Sequence, residues 1–533
     1  MASGYDYIVI GAGSAGAVVA NRLSATGASA LLLEAGGKGN ERNIRIPAFI
    51  DTLLDTSVDW GYRTTAQPEL NGRRIFLSRG KCLGGTSAIN AMVYMRGNRG
   101  DYDHWRSLGN RGWGYEDLLP YFKRSEGNRG LNDPWHGTEG PLAVSSYDGQ
   151  NPIHRAFIEA GHANGLPYNP DFNGQDQFGC GPFQATIGPM GRCSTKVAFL
   201  DPAMDRPNLT VTIHAQVTRI LIKGGRATGV SFLHMGREET ATANAEVILC
   251  GGAINSPQLL MLSGIGPADH LRAMGISVEL DLPGVGQDLQ DHLQVPVRFS
   301  VTEPATVFGL SAEQSEAAIN ASLEKGSGPY HSNMCESGAF LRCDPAEQWP
   351  DVQIHCENAF SAYYYDGTPA DRHGFALWLN MCRPRSRGEV RLASADPLDR
   401  PLIDPRYLSN SYDLDISLKA LKTCIEIGTS PQMAPLGTAY QQPGPGIETD
   451  ADLIAYIRRN ATTIWHPTST CRMGLDPMAV VDDQLRVQGI DGLRIADASV
   501  MPTVTSGNTN APCIMIGEKA ADMILGNPAP TLS

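Results

Sequence analysis

The first forty residues constrain the fold most, because a glycine-rich turn joins two short apolar segments. Residues 5–10 (YDYIVI) are typical of a buried parallel strand, and an ALLL segment that ends at Glu34 predicts a second one. Gly11, Gly13 and Gly16 lie between them and open an Ala- and Val-rich helix. This order predicts a Rossmann-like βαβ unit, and therefore an α/β fold with a parallel sheet.

Each residue of the turn predicts a different feature of a nucleotide site. Gly11 permits the tight turn, Gly13 the close approach of a pyrophosphate, and Gly16 the close packing of helix on strand. The helix N-terminus offers free N–H groups to the phosphates. Glu34 is placed to accept hydrogen bonds from a ribose diol, although a solvated acid at a strand end is the alternative. The unit predicts a dinucleotide site and does not separate FAD from NAD.

Composition excludes several classes of protein. A chain of 533 residues predicts two or three domains, and a net charge of −13 argues against a nucleic-acid binder. Eleven cysteines without CxxC pairing favour free thiols in a reducing compartment, and no metal-ligand spacing occurs. No signal segment precedes the glycine turn, and no apolar run of about twenty residues occurs. We therefore expect a cytoplasmic protein without a membrane span.

A second glycine cluster lies in residues 79–96 (RGKCLGGTSAINAMVYMR). Gly84, Gly85 and Thr86 can present backbone N–H groups and a hydroxyl to an anion. A glycine turn between two core elements is the alternative. The cluster is therefore a candidate second contact with a bound phosphate or ring.

A third segment, residues 247–260, predicts a strand, a small-residue turn and a helix. Ser256 followed by Pro257 has the pattern of an N-cap and a first helical residue. We therefore expect the helix to begin at Pro257 and to end in residues 262–267 (LSGIGP).

These segments resemble a known family. Residues 84–96 and 251–267 are similar to the two signature regions of the glucose–methanol–choline (GMC) oxidoreductases. The resemblance covers nearly the whole chain and implies FAD as cofactor and oxidation of an alcohol as reaction. Further similar segments are residues 386–390, 401–405, 466–467 and 496–499.

The resemblance implies which residues contact FAD. Val217 corresponds to a residue that meets the adenine through its backbone, and Trp60 to an aromatic near the cofactor, with a core aromatic as the alternative. Some members attach the flavin covalently through a histidine of the first signature. Ile89 occupies that region here, which implies non-covalent FAD. The implied contact residues are Gly11, Gly13, Ser14, Ala15, Gly16, Glu34, Ala35, Trp60, Gly84, Gly85, Thr86, Asn90, Ala91, Met92, Val93, Val217, Cys250, Gly251, Asp497, Ala498 and Asn510.

The resemblance places the chemistry near the C-terminus, where residues 463–474 (TIWHPTSTCRMG) contain His466. An imidazole with an ordinary pKa of ~6.5 can accept a proton near neutrality. Similar enzymes hold this histidine over flavin N5 and pair it with a second His or an Asn, which implies Asn508 as partner and Asn510 as the alternative. The implied reaction is hydride transfer from a primary alcohol to N5, with His466 as general base. Trp465 is a candidate for the substrate-pocket wall or for the core.

Other residues receive weaker predictions. His292 is expected to be structural, whereas His331 and His355 are candidates for lining the substrate pocket. Residues 363–365, a run of three tyrosines, are a candidate substrate-facing loop or a packed surface loop. Residues 311–326 are polar and alanine-rich, and we hypothesise a mobile lid there.

The substrate and acceptor stay open at this stage. Choline is one candidate, for which Glu313, Glu316 or the tyrosine run would supply a carboxylate or an aromatic cage. Aromatic or medium-chain alcohols are another, favoured by Trp465. Oxygen and a quinone are both candidate acceptors, and a homo-oligomer is among the alternatives for assembly. A hydroxynitrile lyase of the same fold and a non-catalytic flavoprotein are the alternative functions.

The family's architecture implies two domains. The first is a Rossmann-like FAD-binding domain assembled from separated segments. The second is an α+β substrate domain built on an antiparallel sheet with covering helices, and the active site should lie where the two meet. The implied segments are 1–155, 190–295 and 455–533 for the FAD-binding domain, and 156–189 and 296–454 for the substrate domain.

Overall fold

The computed structural model describes residues 3–147, 151–360 and 371–530. Within these ranges the chain forms two large sheets of seven strands each, with helices packed around them. The described α-helices are Gly16–Ser24, Arg42–Arg45, Arg99–Ser107, Tyr115–Ser125, Pro152–Ala163, Gly252–Leu262, Ala268–Ala273, Ala312–Lys325, Ser411–Gly428, Asp450–Asn460 and Asn510–Leu525.

The N-terminal strand lies in the middle of the first large sheet. Ser3–Ile10 pairs in parallel with Ala30–Leu33 on one side and with Arg237–Leu249 on the other. The predicted Rossmann-like unit is therefore confirmed, with the helix Gly16–Ser24 connecting its first two strands. The order across the sheet is Leu209–Thr212, Ala30–Leu33, Ser3–Ile10, Arg237–Leu249, Arg226–His234 and Ala215–Lys223, with Leu493–Ile495 also paired to Arg237–Leu249.

The helix after the third glycine segment begins earlier than predicted. It spans Gly252–Leu262, so Ser256 and Pro257 lie inside it, and the prediction of a start at Pro257 was wrong. Asp497 Oδ2 accepts the backbone N–H of Gly252 at 2.9 Å and the Ser256 hydroxyl at 2.6 Å. The first turn is thus capped by a carboxylate from a distant segment, which the local pattern does not reveal.

The second large sheet is antiparallel, as the α+β substrate domain requires. The short strand Thr462–Thr463, from the predicted FAD-binding segment 455–533, also pairs with this sheet, alongside Leu293–Ser300. The division of the chain at the stated domain boundaries remains a prediction. The order across this sheet is Ala439–Gln442, Leu293–Ser300, Gly374–Met381, Val352–Glu357, Ser337–Leu341 and Gly179–Pro182.

The two faces of the antiparallel sheet differ in chemistry, because successive residues of a strand point to opposite sides. One face is apolar and packs against the helices Pro152–Ala163 and Ser411–Gly428. The other face is polar and looks toward the first domain. Its polar residues on two paired strands are Gln353, His355, Glu357, Trp378 and Asn380.

Among the helices of the described ranges, none has the length and apolar character needed to cross a membrane.

Five smaller sheets form within the segments between the two large sheets. The small sheets pair Tyr62–Arg63 with Phe76–Leu77; Val93–Tyr94, Gln184–Ala185, Leu142–Ser146 and Glu126–Asn128 in that order; Ile187–Gly188 with Gly191–Arg192; Ile265–Gly266 with Leu280–Asp281; and Gln287–Leu289 with Gly388–Arg391 and Leu402–Asp404.

Candidate active site

The glycines of the first two clusters meet backbone to backbone and form one cleft. Gly11 has a φ of 96°, and a Cβ atom there would lie 2.6 Å from the Cys250 carbonyl oxygen. A Cβ atom at Gly16 would lie 1.9 Å from the Gly11 carbonyl oxygen, and one at Gly85 would lie 2.6 Å from the Gly13 Cα atom. Larger residues would fill the cleft or push its walls apart, so this geometry requires glycine.

Glu34 lies at the end of its strand inside this cleft. Its Oε2 atom accepts the Ala12 N–H at 2.9 Å, and its Oε1 atom accepts the Gly36 N–H at 2.8 Å. Burial raises the pKa of Glu34 to about 7, although these N–H groups act in the opposite direction. The carboxyl is therefore held rigidly, and each oxygen keeps a further lone pair for a ligand hydroxyl.

Most residues predicted to contact FAD line this cleft or the adjoining cavity. Gly16 and Gly84 line neither, since Gly16 packs its helix on the strand and Gly84 makes a turn with a φ of 93°. The residues that line the cleft are Gly11, Gly13, Ser14, Ala15, Glu34, Ala35, Trp60, Gly85, Thr86, Val217, Cys250, Gly251, Asp497 and Ala498. Those that line the adjoining cavity are Ser14, Thr86, Asn90, Ala91, Met92, Val93 and Asn510.

The adjoining cavity has a volume of about 590 Å³ and contains His466, Asn508 and Trp465 in its wall. His466 Nε2 lies 3.4 Å from Asn508 Nδ2. Asn510 instead accepts a hydrogen bond from the Ser14 hydroxyl at 2.7 Å. Of the two candidate asparagines, Asn508 is thus the one beside His466, and Asn510 lies at the junction with the glycine cleft.

His292 contacts His466. A structural role was expected for His292, and its contact with His466 was not predicted from the sequence. Their Nδ1 atoms are 3.0 Å apart, and the rings are nearly perpendicular at 85°. His292 Nε2 also lies 3.2 Å from the Cys382 carbonyl oxygen. A signal was present in the sequence, because Asp291 and His292 are adjacent titratable residues directly before a strand that is otherwise mostly apolar.

These contacts together define the tautomers of both histidines. A carbonyl oxygen only accepts, so His292 carries its proton on Nε2 and accepts at Nδ1. His466 must then donate from its Nδ1 atom, which leaves a lone pair on Nε2, toward the Asn508 amide. Gln353 Nε2 donates to Asn508 Oδ1 at 3.2 Å and thereby orients that amide. One hydrogen-bonded chain therefore runs from Gln353 through Asn508, His466 and His292 to a backbone carbonyl.

Burial keeps the two histidines of this hydrogen-bonded chain uncharged. It lowers the pKa of His466 well below its ordinary value, and the neighbouring His292, His355 and Arg79 act in the same direction. Burial also lowers the pKa of His292 to about 3. His466 is therefore a neutral imidazole at physiological pH, with an acceptor lone pair inside a cavity.

His355, one of the two candidate histidines for the substrate pocket, lines the cavity. Its Nδ1 atom lies 2.6 Å from Asn380 Nδ2, so Nδ1 accepts and Nε2 carries the proton. That Nε2 atom is buried and has no hydrogen-bond partner among the described residues. Burial lowers the pKa of His355 to about 4, and the nearby Asn508 side chain, which makes no hydrogen bond to it within 3.5 Å, acts weakly in the opposite direction. A buried donor of this kind fits a ligand oxygen in the cavity.

Glu357, and not Glu313 or Glu316 as expected, supplies a carboxyl group to the cavity wall. Glu357 accepts a hydrogen bond from the Trp378 indole at 2.6 Å, and burial together with Asp51 raises the pKa of Glu357 to about 8. Glu313 and Glu316 do not line the cavity, and Glu316 pairs with Arg42 on the surface at 2.9 Å. The tyrosines at 363–365 lie outside the described residues.

The predicted lid forms the helix Ala312–Lys325, which begins with a reciprocal cap between Ser311 and Gln314. Ser315 of this helix lines the cavity. His331 does not line the cavity; its Nδ1 atom lies 3.3 Å from the Ser322 hydroxyl. The helix therefore stands at the cavity wall, and its motion as a lid remains a prediction.

Comparison with known proteins identifies the family of the chain. The family model described as GMC oxidoreductase matches residues 5–294 with its N-terminal part and residues 384–517 with its C-terminal part. The chain belongs to the GMC oxidoreductase family. The resemblance stated from the sequence is thereby confirmed.

Relatives and solved structures of this family match almost end to end. An oxygen-dependent choline dehydrogenase of Stenotrophomonas maltophilia is 44% identical, covering 98% of this chain and 95% of the relative. One of Brucella anthropi is 42% identical over 98% of this chain and 95% of its own length. The crystal structure of pyridoxine 4-oxidase from Mesorbium loti has a TM-score of 0.90 and 33% identity, covering 98% of this chain and 100% of that one.

Membership gives the site its chemical class. GMC oxidoreductases bind FAD, and this chain is an FAD-dependent enzyme that acts on CH–OH donors. The glycine cleft fits the cofactor, since its backbones approach so closely that a Cβ atom at Gly11 or Gly85 would collide with them. Sequence reasoning missed several residues of the site, and these are Arg79, His292, Gln353, Glu357 and Cys513.

Proposed function

We propose that this enzyme oxidises a primary alcohol to an aldehyde, with His466 as the general base. The observation that carries the proposal is the His466 ring, whose Nδ1 atom is tied to His292 and whose Nε2 atom faces Asn508 in the cavity. A neutral imidazole held in one tautomer is the state that a general base requires.

The reaction removes a proton and a hydride from the alcohol. FAD, when bound, supplies the hydride acceptor at its N5 atom. His466 Nε2 takes the hydroxyl proton, while the Asn508 amide and the His355 Nε2–H group hold the oxygen. Neutral donors of this kind stabilise the developing alkoxide without titrating. Alignment contributes the larger share of the rate, since fixed geometry can supply ~7–11 kcal/mol.

We further propose that FAD is bound without a covalent link. Ile89, in the region where some family members carry a flavin-linked histidine, lines the cavity and has no nucleophilic atom. The glycine cleft and Glu34 would hold the ADP half, and residues 90–93 with Asn510 would face the ring. Acid precipitation of the holoenzyme should release all of its flavin into the supernatant; flavin retained in the pellet would contradict the proposal.

The cavity favours an alcohol that carries a positive charge, such as the choline named for the two relatives. Glu357 and Asp51 line the cavity together with the ring of Tyr330. The rings of Phe360 and Trp378 already face Arg372 and Arg298, so the two carboxyl groups are the main features that attract a cation. Carboxylates and aromatic faces both attract organic cations. A bound cation would also ionise Glu357, whose pKa burial and Asp51 raise to about 8.

Anaerobic mixing with a panel of alcohols tests the proposed reaction. Flavin bleaching should follow addition of a primary alcohol, and reoxidation by oxygen or a quinone identifies the acceptor. The variant His466→Ala should keep its FAD, and the alcohol should reduce that flavin about 10²–10⁴-fold more slowly than in the unaltered enzyme. Bleaching at the unaltered rate would remove His466 from its role, and no bleaching with any alcohol would favour the lyase alternative.

A further inference from the structure

Arg79 lies in the wall between the glycine cleft and the substrate cavity, and its side chain lines both. Its Nη1 atom donates to the Trp465 carbonyl oxygen at 2.6 Å, and its Nη2 atom donates to Thr86 Oγ1 at 2.8 Å. Among the described residues, no carboxylate lies within 4.0 Å of this guanidinium. Asp291 and Asp59 favour its charge from a greater distance, while its direct hydrogen-bond partners are the neutral oxygens of Trp465 and Thr86. A buried charge spent on neutral acceptors indicates that its position has a use.

The Trp465 backbone is held in an unfavourable conformation. Its φ of 64° lies in the left-handed region, which large side chains rarely adopt. The Trp465 N–H donates to Thr463 Oγ1 at 2.7 Å, and its indole N–H donates to the Phe76 carbonyl oxygen at 3.1 Å. Several surrounding groups thus impose this conformation, as strained residues at functional sites require.

The peptide group between Trp465 and His466 is hydrogen-bonded through both its carbonyl oxygen and its N–H group. Arg79 binds its carbonyl oxygen, and Asp291 Oδ1 accepts its N–H, which belongs to His466, at 2.7 Å. Because this peptide plane leads directly into His466, its orientation sets the position from which the imidazole reaches His292 and Asn508.

We propose that Arg79 is a positioning residue for His466: with Asp291 it clamps the peptide plane before that histidine and ties it to Thr86 of the cofactor-binding turn. The inference rests on the proposed role of His466 as base. Binding of the cofactor against Thr86 and alignment of the base then depend on the same guanidinium.

The charge of Arg79 has a second consequence, because it faces His466 together with other titratable groups. His292 and His355 approach His466 from two other segments, and Asp291 meets its backbone N–H. Arg79 is the permanent cation of this set, and it disfavours a proton on His466. Removal of the charge should therefore raise the pKa of His466.

Two substitutions separate position from charge. Arg79→Lys keeps the charge but loses one of the two hydrogen bonds, so kcat should fall about 10²-fold while the acid limb of the kcat/KM profile stays in place. Arg79→Gln also removes the charge, so the acid limb should move toward neutral pH. Labelled-histidine NMR reads the pKa of His466 directly, and the flavin-to-protein ratio shows whether each variant is loaded.

Arg400→Gln is the matched control, because Arg400 also donates to a backbone carbonyl, that of Gly61 at 2.9 Å, without contacting His466. Its kcat and acid limb should match those of the unaltered enzyme. A wild-type kcat in loaded Arg79→Lys overturns the inference, and it does so even if Arg79→Gln does not fold. Full activity in His466→Ala would instead overturn the proposed base itself.

Discussion

His466 and His292 share a hydrogen bond between their Nδ1 atoms, which are 3.0 Å apart. The bond has one direction when both rings are neutral, because His292 Nε2 must donate to the Cys382 carbonyl oxygen. His292 thereby orients the proposed base in the way that a carboxylate orients the histidine of a hydrolase triad.

Replacement of this partner should slow the chemical step. In His292→Leu, the His466 ring loses the Nδ1 acceptor that His292 provides and can rotate or change tautomer, so we expect kcat to fall about 10²-fold with KM little changed. Rapid-reaction measurement of flavin reduction checks this. His162→Gln is the control, because its helix packs on the apolar face of the second sheet and His162 does not line the cavity. An unaltered reduction rate in His292→Leu would show that the hydrogen bond has no part in orienting the base.

The pH dependence of the reaction should follow the depressed pKa of His466. Burial, His292, His355 and Arg79 all lower it below 6.5, so the neutral base persists as the pH falls through 6.5. We expect the acid limb of the kcat/KM profile to lie below pH 6.5. Steady-state kinetics with an uncharged alcohol avoids titration of the substrate. An acid limb at or above pH 6.5 would contradict the buried neutral base.

Glu357 should decide between charged and uncharged substrates. Glu357→Gln keeps the size of the side chain and its contact with the Trp378 indole but removes the negative charge. We expect kcat/KM for a cationic alcohol to fall about tenfold or more, corresponding to ~1.4 kcal/mol or more, while that for an uncharged alcohol changes little. Equal losses for both substrates would assign Glu357 a structural role.

The glycine cleft should tolerate no side chain at Gly85. In Gly85→Ala the new Cβ atom would lie 2.6 Å from the Gly13 Cα atom, so the cleft must open and FAD should be lost. Gly225→Ala is the control, because Gly225 also has a positive φ, of 76°, but nothing lies within 4 Å of an added Cβ atom. The flavin-to-protein ratio of both variants is the measurement. Full flavin content in Gly85→Ala would contradict the fit.

His154 should make the fold sensitive to acid. Burial lowers its pKa to about 3, against the weaker opposite effect of Glu336 Oε2 at 4.0 Å from its Nε2 atom, whereas the unfolded chain binds a proton near pH ~6.5. As the pH falls from 7 to 5, the unfolded state gains that proton and the folded state does not, so stability is lost. The loss should be smaller by about 2 kcal/mol in His154→Gln. Denaturant titrations at both pH values measure it, and equal losses would show that His154 titrates normally in the fold.

The helix Gly252–Leu262 illustrates where sequence reasoning stops. Local pattern placed its start at Pro257, but Asp497 caps it at Gly252. Pro257 is tolerated inside the helix because Thr470 donates a hydrogen bond at 2.7 Å to the Ala253 carbonyl oxygen. Proline has no N–H group to donate to that oxygen, so the threonine hydroxyl replaces the missing helical hydrogen bond. Partners more than 200 residues away leave no local trace.

The chain by itself determined the βαβ unit, the glycine turns and the family, because these depend on residue types at short spacings. His466 was identified through the family pattern. Only the tertiary structure decided that Asn508 rather than Asn510 faces His466, that His292 holds the other ring nitrogen, and that Glu357 supplies the carboxyl of the cavity. These contacts join segments far apart in the chain, and packing of the two sheets brings them together.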